Sequence, residues 1–228
     1  MSSRRLLVFC LLLGVPIIGW LSWRELSSRR QPSELHVPRI NKQPVVVASR
    51  TFDPAAPPAD MPPLAAGENA ECDSDFEANA SVGGETRLSD ATHGTVTVTQ
   101  INVTLQLNIT IWLPARVTQH VVEHEEGHRE ISESYYQTAD KPAERIAATY
   151  MGKQVDIRGT DLSAESNKVL QQMATEITEE YNKQLNPEPA QLLYDTITDH
   201  SRNEVVVKDA VAHVLKNVSV ESRQAATN

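Results

Sequence analysis

Between Gly94 and Leu113 apolar side chains fall on every second residue: Val96 and Val98, then Val103, Leu105, Leu107, Ile109, Ile111 and Leu113. Alternation over this length is the pattern of a strand with one buried face. A chain that carries it must build a sheet and cover one side of it. The phase switches from even to odd near Gln100–Ile101. A one-residue shift flips every side chain to the other face, so a bulge or tight turn is expected there, giving one bent strand or two paired ones. Thr and Asn at the alternate positions suit a half-exposed face. Pro114 closes the strand and permits a helix to start.

In the helix that follows, Val117, Val121, His124, His128, Ile131 and Tyr135 recur at spacings of four and three, the seam of an amphipathic helix. Both histidines are thereby core-facing, while Glu126, Arg129, Glu130 and Glu133 fall on or near the solvated side. The stretch His124-Glu125-Glu126-Gly127-His128 reads H-E-x-x-H. Helical geometry sets its two imidazoles about 40° apart around the axis and about 6 Å along it, close enough to share one metal ion. Two neutral imidazoles supply half of a tetrahedral zinc site, and the intervening carboxylate stands beside the open position. The competing reading of the same residues is a helix with two buried, hydrogen-bonded histidines. His120 to His124 also reads as H-x-x-E-H, the inverted motif. The seam and the glycine before His128 favour the first parse, with His120 then a helix-face or supporting residue.

Further along, Asp140 is expected to cap a helix from Lys141 to about Met151, and Gly152 to Thr160 reads as a loop or short strand. A long helix is expected from Ser163 to about Leu185, ended by Asn186-Pro187-Glu188-Pro189. A segment from Ala190 to Thr198 leads to His200, and Glu204 to Leu215 reads as a last helix. The expected fold is α+β, a small antiparallel sheet packed on helices.

Residues 6–23 carry no charge, follow Arg4 and Arg5, and contain two tryptophans near their end. That is long enough for a tilted membrane span and lacks an A-x-A-like cleavage site. Residues 1–30 are therefore expected to be an N-terminal transmembrane helix acting as a signal anchor, with the rest facing the periplasm of a bacterial inner membrane; a cleaved signal and secretion is the alternative. Residues 31–69 hold eight of the thirteen prolines and read as a tether, 70–220 as one domain and 221–228 as a disordered tail. The first 30 residues carry a net +4 and the whole chain −9, which leaves −13 on the remainder. An acidic body with no basic patch argues against nucleic acid as a partner. Cys72 is the sole cysteine beyond Cys10, so no internal disulfide is expected in the exported part, and its acidic neighbours disfavour a thiolate.

A third metal ligand is needed. Ser134 occupies the position where the compact metzincin arrangement would place a histidine, which excludes that solution. Glu144, Glu165 and His200 are the candidates. Trp112-Leu113-Pro114 before the H-E-x-G-H helix and the later Tyr194-Asp195-Thr196-Ile197-Thr198-Asp199-His200 resemble the bacterial family of predicted secreted zinc-dependent proteases. The resemblance spans roughly residues 94–202. It implies a zincin-like fold, zinc held by His124, His128 and His200, and Glu125 as the catalytic carboxylate. Ser201 stands where that family usually has glycine, and the family often carries cysteines near the domain start and in the later helix, of which only Cys72 is present here. Tyr194 is the expected donor to a tetrahedral oxyanion and Asp195 the carboxylate that orients a ligand imidazole. The expected function is a membrane-anchored zinc peptidase, with the strand ending at Leu113 offering an edge to an extended peptide. The alternatives are a zinc amidase acting on cell-wall peptides, or a non-enzymatic envelope module with a structural or vestigial zinc site.

Overall fold

A computed structural model describes residues 37–64 and 67–225, with side chains through residue 217. One strand organises it. β4 (His93–Pro114) pairs with every other strand: β1 (Arg39–Lys42) and β2 (Val46–Phe52) in parallel, β3 (Glu71–Leu88) and β5 (Gln154–Arg158) antiparallel. Because β3 pairs with β4 over its whole length, β1, β2 and β5 must share the opposite edge of β4.

The expected antiparallel sheet is therefore corrected to a mixed five-stranded one. The cause lies in residues 39–52, expected to be tether. Their side chains are mostly exposed, so no alternation advertises them, and they are held by main-chain pairing such as Arg39 with Asn102 and Val46 with Asn108. The expected membrane span at residues 6–23 lies outside the described residues, and among the described residues no helix is long and apolar enough to cross a membrane.

The phase switch in β4 is a bulge within one continuous strand. Gly83 pairs with Gln100 and Gly84 with Val98, which leaves Thr99 as the extra residue. That insertion brings Val96 and Val98 onto the same face as Ile101, Val103, Leu105, Leu107, Ile109 and Ile111, all buried.

Among the described residues five helices follow or interrupt the sheet: α1 (Gln119–Gln137), α2 (Asp140–Tyr150), α3 (Leu162–Gln184), α4 (Glu188–Thr198) and α5 (Val207–Ala225). The last runs into the expected tail. The apolar face of β4 packs against Tyr136 of α1, Ala143, Ile146 and Ala147 of α2, and Met173, Ile177 and Tyr181 of α3. A second, smaller core joins Ile131 of α1 to Ala190 and Tyr194 of α4 and Ala210, Val211 and Val214 of α5. Helix α1 thus lies between two cores, and this position fixes its histidines.

Candidate metal centre

Thr118 caps α1 by accepting from the Val121 N–H, and four residues separate the helix from the end of the strand. One turn later His124 and Glu125 are buried, 3% and 5% exposed. The ring of His124 stacks on Tyr194 of α4, with centroids 5.0 Å apart and planes at 18°, and His128 meets the same ring edge-on at 4.8 Å. The Tyr194 hydroxyl donates to the main-chain carbonyl of His124 at 3.2 Å. Gly127 makes this approach possible: a Cβ there would lie 2.2 Å from that hydroxyl. The glycine of H-E-x-G-H is thus required by the packing of α4 on α1. Tyr194, expected to be an oxyanion donor, is fully buried and its hydroxyl donates to the α1 backbone.

The two imidazoles converge. His124 Nε2 and His128 Nε2 stand 3.2 Å apart, and Asp195 Oδ1 lies 3.3 Å from the first and 2.9 Å from the second. Asp195, expected to support a ligand from behind, is itself within ligating distance. A tetrahedral shell with bonds of ~2.0–2.1 Å has donor–donor edges of about 3.3 Å, so the three atoms are spaced as metal ligands are.

Their hydrogen bonding points the same way. Gln191 of α4 donates its amide hydrogens to the His128 carbonyl at 3.2 Å and to Ser132 Oγ at 2.9 Å. Its Oε1 is thereby left to accept from His128 Nδ1 at 2.7 Å. In the neutral ring, Nε2 then presents a lone pair towards Asp195, which is the tautomer a metal ligand needs. Among the described residues Asp195 Oδ1 is buried and, despite its two close nitrogens, has no well-aligned hydrogen bond, and His124 Nδ1 is also buried without a partner. Burial raises the Asp195 pKa, but the imidazoles of His124 and His128 outweigh it and hold the carboxyl well below the usual carboxylate range. Burial pulls His124 down, whereas in His128 the neighbouring Asp195 overcomes the same effect and raises it.

His200 is placed one group further out. Its Nδ1 is 3.1 Å from Glu68 Oε1 and 3.8 Å from Asp195 Oδ1. Two donor groups converge within 4.8 Å among the described residues, His124 with His128 and Asp195, and Glu68 with Asp195 and His200. Asp195 belongs to both. His200 reaches this place on a left-handed turn, φ being 49° at Asp199, 50° at His200 and 63° at Ser201. Ser201 therefore adopts a conformation that glycine takes without cost. Glu144 and Glu165 belong to neither group, and His120 Nε2 lies 2.9 Å from the Asn203 carbonyl and serves to anchor that loop.

A cleft of about 370 Å³ opens onto the imidazoles, between the first residues of β3 and the helices α1 and α4. Glu125 lines it, and burial pushes its carboxyl up to about 8. Glu68, Glu71, Asp73 and Glu188 line it as well. Sequence reasoning missed Gln191, Glu68 and Glu71. Gln191 lies four residues before Asp195, on the same face of α4, and a helical reading of residues 188–198 would have pointed to it. Glu68 and Glu71 carry no such signal. No family model, curated protein or solved structure matches the chain.

Proposed function

We propose that the chain is a zinc-dependent peptidase, related to the predicted secreted proteases that it resembles. The single observation that carries the reading is the convergence of His124 Nε2, His128 Nε2 and Asp195 Oδ1 to mutual distances of 2.9–3.3 Å beside the buried Glu125. His124, His128 and Asp195 would hold the metal, with His200 and Glu68 adjoining through Asp195. When bound, a zinc ion supplies Lewis acidity and an acidified water.

The remaining roles belong to the chain. Glu125 accepts the proton of the attacking water and returns it to the leaving amine. Gln191 holds the His128 ring and its tautomer, and Tyr194 holds the α1 backbone at His124. The expected substrate edge moves from β4 to β3. Both sides of β4 near Leu113 are already paired, with β2 on one and β3 on the other, whereas β3 is an outer strand and its start lines the cleft. An extended peptide is the ligand such an edge takes, by adding a strand.

The test is Glu125→Gln in the full chain. Zinc content should be retained and peptide hydrolysis should fall by about 10²–10⁴-fold, the range of a general base. Unchanged turnover would refute the role of Glu125.

A further inference from the structure

We propose that the cleft selects an extended peptide segment carrying lysine or arginine at alternate positions. This rests on the peptidase reading and names the substrate class of the same site.

Three observations support it. The first is the free edge. The Ala80 N–H of β3 donates away from the sheet, to Thr178 Oγ1 of α3 at 3.3 Å. Main-chain groups alternate in direction along a strand, so those of Phe76, Ser74 and Cys72 also face outward. No hydrogen bond from another element meets them among the described residues. An added strand would satisfy them.

The second is charge. Glu71 and Asp73, two residues apart on β3, project to the same side of the strand, opposite to Cys72 and Ser74, which share the helix-covered face with Ile111 and Ile109, and Glu188 lines the cleft from α4. Among the described residues no lysine or arginine lines the cleft, and none of these three is in an ion pair with one. Neither donor group includes them. Burial, and after it the neighbouring Glu68, push the Glu71 carboxyl up to about 7. The third is Glu125, 5% exposed and lining the cleft, whose carboxyl has no hydrogen bond to another side chain among the described residues.

A strand laid beside β3 puts its side chains opposite those of β3, with Cβ atoms about 5 Å apart. Cationic side chains two residues apart then face Glu71 and Asp73 together, whereas adjacent ones would point to opposite faces. The edge supplies main-chain affinity, and the carboxylates supply selection and faster encounter.

The experiment uses the full chain with zinc and three peptides of one length, with lysine at alternate positions and with those lysines replaced by glutamine or by glutamate. Hydrolysis gives kcat/KM, and fluorescence anisotropy with the Glu125→Gln chain gives Kd without turnover. The lysine peptide should exceed the glutamate peptide about tenfold in kcat/KM at 50 mM salt, the scale of two partly exposed ion pairs. The margin should shrink at 0.5 M salt, where such pairs are screened. Glu71→Gln with Asp73→Asn should erase most of it, while Glu85→Gln, at the far end of β3, should not. Equal kcat/KM for the three peptides, or a preference indifferent to salt and to the double substitution, overturns the proposal and leaves the peptidase reading standing. Salt-sensitive binding of the lysine peptide without any hydrolysis keeps the proposal and refutes the peptidase reading. Neither binding nor cleavage of any peptide overturns both.

Discussion

The α1 wall of the cleft carries its polar groups on a helix held between two apolar cores, whereas the β3 wall carries carboxylates on an outer strand with an open main-chain edge. On α1 both imidazoles are fixed by a side chain behind them: Tyr194 against His124, Gln191 against His128. On β3, Glu71 and Asp73 have no such backing. The difference teaches that the two walls answer different demands. A metal ligand must be held to within fractions of an ångström, while a surface that recognises a substrate must keep donors and charge unsatisfied until the substrate arrives.

The largest effect should come from breaking the α1 wall at its tightest point. Gly127→Ala places a methyl group on the Tyr194 hydroxyl, and overpacking of this kind costs about 3 kcal/mol. Thermal unfolding should show a clear fall in Tm together with weaker metal binding; a wild-type Tm would mean that α4 shifts freely on α1. Next is the third donor. Asp195→Asn should weaken zinc binding by more than the 10–100-fold typical of a supporting residue, and His200→Ala by less. Competition with a fluorescent chelator gives both constants, and the reverse order would move the third position to His200. Gln191→Ala should fall within that 10–100-fold range, since it frees the His128 ring while keeping the nitrogen that binds.

Smaller effects lie away from α1. Ser201→Val puts a β-branched residue at φ 63° and should cost about 1–2 kcal/mol, with Ser201→Gly neutral or mildly stabilising. Urea titration separates the two, and equal midpoints would show that the turn relaxes. The smallest change is at Cys72, where burial pushes the thiol up to about 12. With Cys10→Ser as background, alkylation at pH 8 should be slow in the native chain and fast in urea; rapid native labelling would mean that β3 opens at its start.

The two walls also differ in how legible they were. β4 and α1 announce themselves because each buries one face: the odd positions from Ile101 to Ile111 and the seam through His124 and His128 are what burial writes into a sequence. The phase switch at Gln100–Ile101 had a definite structural cause, the extra Thr99. By contrast β1, β2 and much of β3 are stabilised by main-chain pairing to β4, and backbone hydrogen bonds leave no trace in side-chain pattern. That is why an antiparallel sheet was expected and a mixed one is found. Within the site, His124, Glu125 and His128 were legible from local spacing. The place of Asp195 between the imidazoles was not, because it depends on how α4 packs across α1 through Gly127 and Tyr194. Gln191 was hidden for the same reason.

On the proposed function, α1 and α4 together hold a single metal ion beside Glu125. Elemental analysis of the purified full chain, with His124→Ala and His128→Ala alongside, decides the matter. About one zinc per wild-type chain is expected, lost in both variants, with a fall in wild-type Tm on chelation, since a ligand at 1,000 times its Kd stabilises by about 4 kcal/mol. A wild-type chain that contains no metal and takes up none on titration with zinc would contradict it, and would leave the two histidines as buried, hydrogen-bonded members of the helix.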